Sequence, residues 1–282
     1  MSTLPVRTLL ELVARYSLEP ELNDLFVEGQ FDADLVAHAL EASGEETPPR
    51  LYLAETVELQ PEEFARHGLT FGNKQILVVL AKEANLASPA CRMRSMVDRD
   101  MDPHLGSIID IPQVKYTHYS GLEMYVATEL FITSLVLRIA KAKIRSWPLM
   151  YREIIRCLTA VFAMRLVDRM LSLSMIWIEP WKAMKRNGKK VDFDEDDYVN
   201  RLLSKNGNLG RADEFRTMYK AAGQKFSGDH RHFVRGHDLF GTLAWVIKVF
   251  GGLTAFGDSE ALERATILAS PSAPELMAFL RT

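Results

Sequence analysis

Three aspartates at alternate positions, Asp98, Asp100 and Asp102, close the stretch CRMRSMVDRDMD at 91–102. In an extended strand, residues two apart share a face, so Asp98 and Asp100 would project together, about 7 Å apart, with Arg99 and Met101 on the other side. Carboxylates gathered this closely repel unless a cation or a base stands among them. Magnesium needs only one or two carboxylates, completed by water and substrate phosphate, so an acidic strand end suits it. A calcium loop of the EF-hand kind is excluded, because Pro103 and His104 follow where that loop turns on glycine. A second acidic strand end stands at LFVEG, 25–29, where Glu28 follows a short apolar run. Alone, such a glutamate is commonplace and usually solvated; beside Asp98 and Asp100 it completes a set of carboxylates. Asp102 lies past the expected strand end, just before Pro103, which makes it turn-forming or a support to the ligands rather than one of them.

The surrounding pattern supplies the elements that must bring these residues together. Leu4–Tyr16 has the spacing of a short amphipathic helix, stopped by Pro20. Asp24–Glu28 reads as a buried strand ended by Gly29, and Asp32–Leu40 as the helix after it, with Asp32 as N-cap. A loop at SGEETPP (43–49) leads to RLYLAETVEL (50–59), which alternates as a second strand. A turn at 71–74, FGNK, opens a helix over Gln75–Ala84; Arg92–Val97 is the third strand and Ile111–Ser120 a fourth. Strands separated by helical segments predict an α/β fold with a mostly parallel sheet flanked by helices. Ligand sites in such sheets form at the carboxyl ends of the strands, where Glu28, Asp98 and Asp100 all fall.

From Gly121 the pattern turns helical. Two long runs, Leu122–Trp147 and Tyr151–Ile178, are stopped by Pro148 and Pro180. A loop follows at Asn187–Asp197, then a polar helical region over Tyr198–Ala222, an apolar helix at Gly236–Val249 and a last helix opened by a capping box, Ser272 to Glu275. The chain is thus expected to divide into an α/β core with its N-terminal helix (1–120), a large basic helical insertion (121–235), and C-terminal helices that pack back on the core (236–282).

Composition bounds the function. With 282 residues, 48% of them apolar, the chain builds a sizeable core and is not disordered. Cys91 and Cys157 have no CxxC spacing; they give neither a disulfide framework nor a zinc site and match cytosolic usage. The opening MSTLPVRTLLELVARY has charges among its apolar positions and no small-residue cleavage site, so it is not read as a signal peptide. Arg138 cuts one apolar stretch, and Arg165, Asp168 and Arg169 cut another, which excludes both as membrane helices. The net charge of −3 conceals an asymmetry: residues 1–66 carry fourteen acidic and four basic side chains, residues 138–190 three acidic and thirteen basic. Either the opposite faces are solvated or dock on one another, or the basic segment tracks a polyanion. Trp147, Trp177, Trp181, Phe226 and Phe233 either stack on exposed bases or pack between helices.

The pairing of a strand-ending glutamate with a later strand-ending DxD resembles the TOPRIM domain of topoisomerases, bacterial primases and OLD-family nucleases, through FVEG at 26–29 and VDRD at 97–100. Five stretches further resemble a narrower bacterial group with TOPRIM-like cores and helical insertions, which includes the nuclease effector of PARIS anti-phage systems. They are FVEGQFDADL (26–35), GNK (72–74), MVDRDMD (96–102), HYSGLEMYV (118–126) and RGHDLFGTLAW (235–245). The resemblance implies a TOPRIM-like sheet and a Mg²⁺- or Mn²⁺-dependent endonuclease, with Glu28, Asp98 and Asp100 around the metal. Asp32, four positions after the glutamate, and Glu123 in GLEMY match further acidic positions that would extend the metal site. Each also has an ordinary helical reading, as an N-cap and as a first-turn glutamate. Lys74 in GNK would stabilise phosphoryl charge or merely open its helix. His237 and Asp238 stand at a helix start, where they would contact the site or cap the helix.

The reaction implied is phosphodiester hydrolysis, in which the held ion polarises the phosphate and lowers the pKa of a bound water, with a second ion at the leaving oxygen. Neither a P-loop GxxxxGK[ST] nor a Ser/His/Asp arrangement competes, so any ATPase belongs to another chain. Resemblance to the PARIS effector implies tRNA as target and a toxic, abortive-infection role in the cytoplasm. It also implies control by an ABC-type or AAA ATPase sensor, with a homodimer as the active state. Resemblance to OLD nucleases implies DNA instead. A non-catalytic TOPRIM module that only binds nucleic acid or a partner is opposed by the joint presence of Glu28, Asp98 and Asp100.

Overall fold

The computed structural model describes residues 5–281. Two compact units make up the chain: residues up to Leu122 together with those from Ile267 onward, and Glu123–Thr266. The segment expected to return to the core therefore divides, with 236–266 in the helical unit and the residues from Ile267 in the α/β unit.

In the first unit β1 (Arg7–Thr8) leads into α1 (Leu9–Leu18), which Thr8 caps. Thr8 Oγ1 accepts from Glu11 N at 3.3 Å, and the Glu11 carboxylate accepts from Thr8 N at 2.8 Å. The helix expected from Leu4 thus starts at Leu9, and Leu4 lies outside the described residues. Next come β2 (Asp24–Val27), α2 (Gln30–Ser43), β3 (Arg50–Leu53), β4 (Val57–Glu58), α3 (Pro61–Arg66), α4 (Asn73–Ala87), β5 (Arg94–Val97), the one-turn α5 (Asp102–Leu105) and β6 (Val114–Tyr116). The run RLYLAETVEL is two strands, split by a 3₁₀ turn at Ala54–Thr56, and its second part pairs with β1. The main sheet is parallel throughout, in the order β3-β2-β5-β6.

β2 is buried at all four of its residues, as a strand covered on both faces must be. Its side chains alternate: Phe26, stacked on Tyr52 at 5.0 Å, enters the core shared with α1 and α4, while Leu25 and Val27 point to the opposite face. At the start of β2 the buried Asp24 carboxylate accepts from Tyr16 Oη at 3.0 Å and pairs with Arg15 at 3.3 Å, which ties α1 to the sheet. The topology matters most for function. From β2 the chain steps to β3 on one side, then crosses to β5 on the other. Where neighbouring strands send their connections to opposite sides, a crevice opens at their carboxyl ends.

The second unit is helical. It contains α6 (Glu129–Thr133) running into a π-helical turn (Ser134–Ile139), α7 (Trp147–Met170), a hairpin of β7 (Lys185–Asn187) and β8 (Lys190–Asp192), α8 (Glu195–Lys205), α9 (Ala212–Gly223) and α10 (Gly236–Val249). α11 (Ser259–Ala269) runs across the second boundary. The helix expected over Leu122–Trp147 is interrupted. Thr128 caps a new helix by accepting from Phe131 N at 3.2 Å, and Lys141 adopts a left-handed backbone with φ of 56°. Pro148 stands in the first turn of α7 instead of ending a helix, a position where its missing N–H costs nothing. α7 ends at Met170 rather than Ile178 because Asp168 accepts from Met175 N at 3.3 Å and from Trp177 Nε1 at 2.9 Å, folding the segment back.

The closing helix, α12 (Pro274–Arg281), belongs to the first unit. Glu275 accepts from Tyr119 Oη at 2.7 Å, and Phe279 lies against His118 at 5.2 Å. Among the described residues no helix is long and apolar enough to cross a membrane.

Candidate functional site

Glu28 follows β2 directly and Asp98 follows β5, so two neighbouring strands deliver carboxylates to the switch point of the sheet. Backbone groups join them. Asp98 N donates to Glu28 Oε1 at 2.8 Å, and Asp98 Oδ1 accepts from Leu122 N at 3.0 Å. The start of α4 closes the group: Asn73 Nδ2 donates to Glu28 O at 2.8 Å, and Lys74 Nζ donates to the Asp98 carbonyl. Lys74 also pairs with Asp102 at 2.7 Å and with Asp100 at 3.4 Å.

Asp98 and Asp100 do not share a strand face, contrary to the alternation expected of DRDMD. β5 ends at Val97, Asp100 N donates to Ser120 O at 3.0 Å, and Asp100 takes a left-handed backbone with φ of 44°. Aspartate tolerates that conformation better than most residues, and the chain turns there instead of running on extended. Arg99 is held beside β6, its N donating to Thr117 Oγ1 at 2.9 Å and its Nη1 to His118 O at 3.1 Å. Asp102 opens α5 and pairs with Lys74, in keeping with a turn-forming role.

Asp32 is not the N-cap of α2. Gly29 occupies that position, and Asp32, three residues on, accepts from Gly29 N at 3.0 Å. Together with Glu28 and Asp98 it lines a tight crevice, too narrow as it stands to admit a water molecule, whose other walls are Val27, Met96 and Leu122. Apolar walls penalise the charged form of a carboxylate. Burial accordingly pushes Glu28 up to about 7, with further repulsion from Asp100 and Asp32, against the opposing effects of the Asp98 N–H and Lys74. Burial by itself would depress the Lys74 ammonium, but Asp100, Asp102 and Glu28 outweigh it and hold the group above its ordinary value.

A hard divalent cation would supply the positive charge that Glu28 lacks. The donors lining the crevice are carboxylate oxygens, the kind Mg²⁺ and Mn²⁺ prefer, so Glu28, Asp32 and Asp98 fit such an ion by chemistry. Asp100 faces Lys74 instead. Among the described residues no three His, Cys, Asp or Glu side chains are grouped so that they could hold a metal ion as they stand.

The remaining candidates lie in the helical unit. Glu123 is buried, with its carboxylate against Gly236, the first residue of α10, where a Cβ would overlap it. A carboxylate at a helix N-terminus is favoured by the helix dipole. Asp238 is buried and accepts twice from Arg165, Nε to Oδ2 at 3.1 Å and Nη2 to Oδ1 at 3.0 Å, while the guanidinium lies 4.2 Å over the Trp177 ring. His237 stands 3.7 Å from Glu179 and edge-on to Trp181 at 5.7 Å. Trp181 in turn covers Gly241, which has no room for a Cβ. The motif RGHDLFGTLAW is thus taken up with packing: Gly236 admits Glu123, Asp238 holds Arg165 and Gly241 seats Trp181. Internal contacts also occupy the other aromatics, with Phe226 stacked on Phe233 at 4.6 Å and Trp147 buried, donating to Thr133 Oγ1 at 2.8 Å.

Asn73 and Leu122 lie in the stretches GNK and HYSGLEMYV, but their contacts to the site, through a carbonyl partner and a main-chain donor, leave no side-chain pattern that would reveal them. The hairpin at 185–192 overlaps the loop expected over 187–197, and Asn187-Gly188 between short extended runs is a strong signal for it. In comparisons with known proteins, no family model matches the chain and no curated protein matches it significantly.

Proposed function

We propose that the chain is a metal-dependent phosphodiesterase of the TOPRIM kind, acting as an endonuclease. The observation that best supports it is the joining of Glu28 and Asp98 at the carboxyl ends of adjacent parallel strands, with Asp32 in the same crevice. A bound Mg²⁺ or Mn²⁺ would polarise the scissile phosphate and acidify a water. Glu28, Asp32 and Asp98 would hold that ion, and the apolar walls of the crevice, which disfavour an unpaired carboxylate, would strengthen its attraction to a cation. Lys74 presents a fixed ammonium beside them for the phosphoryl charge, and its pairing with Asp100 and Asp102 restrains the repulsion within the acidic turn.

The substrate is nucleic acid, with tRNA favoured over DNA. The setting is a cytoplasmic abortive-infection pair in which an ABC-type or AAA ATPase sensor restrains a toxic nuclease that acts as a homodimer. Support for this finer reading is the resemblance of the five stretches between residues 26 and 245 to the PARIS effector group. An OLD-like nuclease would differ in taking DNA. One observation favours a non-catalytic TOPRIM module instead: Lys74 engages two of the three aspartates in DRDMD.

Purified protein with Mg²⁺ or Mn²⁺, given total tRNA or supercoiled plasmid, decides among these. Wild type should cleave one of them, and Glu28→Gln and Asp98→Asn should each lose ~100-fold or more of the rate, since even groups that only support metal ligands are worth 10–100-fold. Absence of cleavage with either metal, together with absence of calorimetric metal binding, would leave the binding module.

A further inference from the structure

Two basic segments of the helical unit converge on the C-terminal end of α10. The first is the irregular stretch 141–145, in which Lys141, Lys143 and Arg145 are exposed and Ala142 is buried. Its Lys143 N donates to Phe250 O at 2.9 Å. The second is the β7–β8 hairpin, rooted by the buried Met184, Val191 and Phe193, with Lys185, Arg186, Lys189 and Lys190 exposed. Gly188, at φ of 59°, closes the turn. Arg186 fixes the hairpin in place: its guanidinium lies 4.8 Å over the Phe250 ring, Nη1 donates to Val249 O at 2.7 Å and Nε to Gly188 O at 3.0 Å.

Cations at a helix C-terminus ordinarily compensate its dipole and its free carbonyls. That accounts for Arg186 and leaves Lys141, Lys143, Lys185, Lys189 and Lys190 over. Among the described residues none of these five ammoniums has a carboxylate partner. Asp192, the one carboxylate of the hairpin strands, accepts from Asn187 Nδ2 at 2.7 Å. Like charges set together without counter-charge repel, and a chain of net charge −3 has acidic groups to spare. A concentration of unpaired lysines on two anchored segments is the arrangement that an external polyanion relieves, and a two-stranded ribbon has the width of a nucleic-acid groove.

We propose that this face, formed by Lys141 and Lys143 with the hairpin lysines 185, 189 and 190, binds nucleic acid through its phosphate backbone, irrespective of sequence. The choice of nucleic acid as the polyanion rests on the nuclease reading; the face itself does not.

The test is fluorescence anisotropy on the full chain in EDTA, where cleavage plays no part, with a labelled tRNA and a labelled DNA duplex over a range of salt. Wild type should bind with a strong salt dependence. The triple variant Lys185→Gln, Lys189→Gln, Lys190→Gln should bind about 10-fold more weakly or worse near 0.1 M salt, and flatten the log–log salt slope by ~2–3, at roughly 0.7–0.9 for each phosphate no longer neutralised. Lys141→Gln with Lys143→Gln should flatten it by ~1–2 on the same scale. Lys220→Gln with Lys225→Gln, elsewhere in the helical unit, should leave it unchanged. Far-UV circular dichroism and melting temperature confirm that each variant is folded. No binding by wild type overturns the proposal, as does a triple variant with the affinity and slope of wild type. Hairpin-dependent binding to phosphatidylserine vesicles without binding to either nucleic acid also overturns it. Hairpin-dependent nucleic-acid binding by a protein that cleaves nothing with any metal keeps the face and removes the nuclease reading. Cleavage with hairpin-independent binding does the reverse.

Discussion

Two clusters of buried charge, one around Arg165 in the helical unit and one at the strand ends of the α/β unit, are built on opposite terms. In the helical unit Arg165 takes both oxygens of Asp238 and lies over Trp177, while Asp168 accepts from Trp177 Nε1 and Met175 N. This network is closed: both oxygens of each aspartate accept from a partner of fixed geometry, and one guanidinium supplies the counter-charge. At the strand ends one ammonium, Lys74, stands among Glu28, Asp98, Asp100 and Asp102. That cluster is open: like charge is in excess, Glu28 is pushed up by burial, and Asp100 sits in a left-handed turn. Saturation marks charge used to hold a fold together. Excess charge marks a place where a further ion or a substrate completes the balance.

The sharpest way to break this contrast is to open the closed network. Asp238→Ala leaves a buried guanidinium unpaired and should cost ~3–5 kcal/mol in urea unfolding, the penalty of stranding one member of a buried pair. Arg165→Met with Asp238→Leu should recover much of that loss, because replacing both partners by apolar groups is often neutral. A small effect of Asp238→Ala on stability together with a large one on cleavage would move Asp238 from packing to chemistry and erase the distinction.

Gly236 tests the same contrast at Glu123. Overpacking there, by Gly236→Ala, drives a methyl into the Glu123 carboxylate and should cost ~1–3 kcal/mol. Adding Glu123→Ala should relieve it. The same pair measured by calorimetry with Mn²⁺ sharpens the assignment: unchanged metal affinity keeps Glu123 a packing residue, and a loss in Glu123→Ala alone would make it a ligand.

What the sequence disclosed follows from which interactions leave a local pattern. β2, α10 and the end of β5 lie where apolar runs and punctuation place them, since burial on both faces of a parallel strand or around a helix writes itself as continuous apolar residues. Glu28 was legible for the same reason, as the first polar residue after Leu25-Phe26-Val27, whereas Asp98 stood out by the acidic spacing that follows Met96-Val97. Asp100 was not, because the turn at that residue depends on its N–H reaching Ser120, twenty residues away in sequence. Helix lengths from 122 to 178 also failed. The periodicity there continues through Lys141 and Ser172, and only tertiary hydrogen bonds such as those of Asp168 and left-handed backbones end the helices. The roles of Asp238 and Glu123 were hidden because their partners, Arg165 and Gly236, are remote in sequence and ordinary in type.

The smallest effect, and the most direct reading of openness, is the pH dependence of stability in EDTA. Glu28 titrates near 7 in the folded chain against an ordinary 4.5, chiefly because of burial. Between those values the native state holds more proton than the unfolded one, so the contribution of Glu28 is largest at low pH and is lost as pH rises from about 4.5 to 7. At 1.36 kcal/mol per pKa unit, and with Glu28 itself partly exposed, the loss should be ~1–2 kcal/mol. His230 runs the other way. Burial depresses it despite Asp229, so the native state holds less proton and its contribution grows as pH rises toward 6.5. Raw curves mix these with other shifted groups, among them His104 and Glu263, whereas the stability of Glu28→Gln minus that of wild type isolates Glu28. That difference should grow by ~1–2 kcal/mol from pH 4.5 to 7.5 and shrink when millimolar Mg²⁺ replaces EDTA, since an ion bound to the native carboxylate stabilises only the wild type. A flat difference would mean that Glu28 is already balanced by Lys74 and the Asp98 N–H, and that the strand-end cluster is as closed as the one around Arg165.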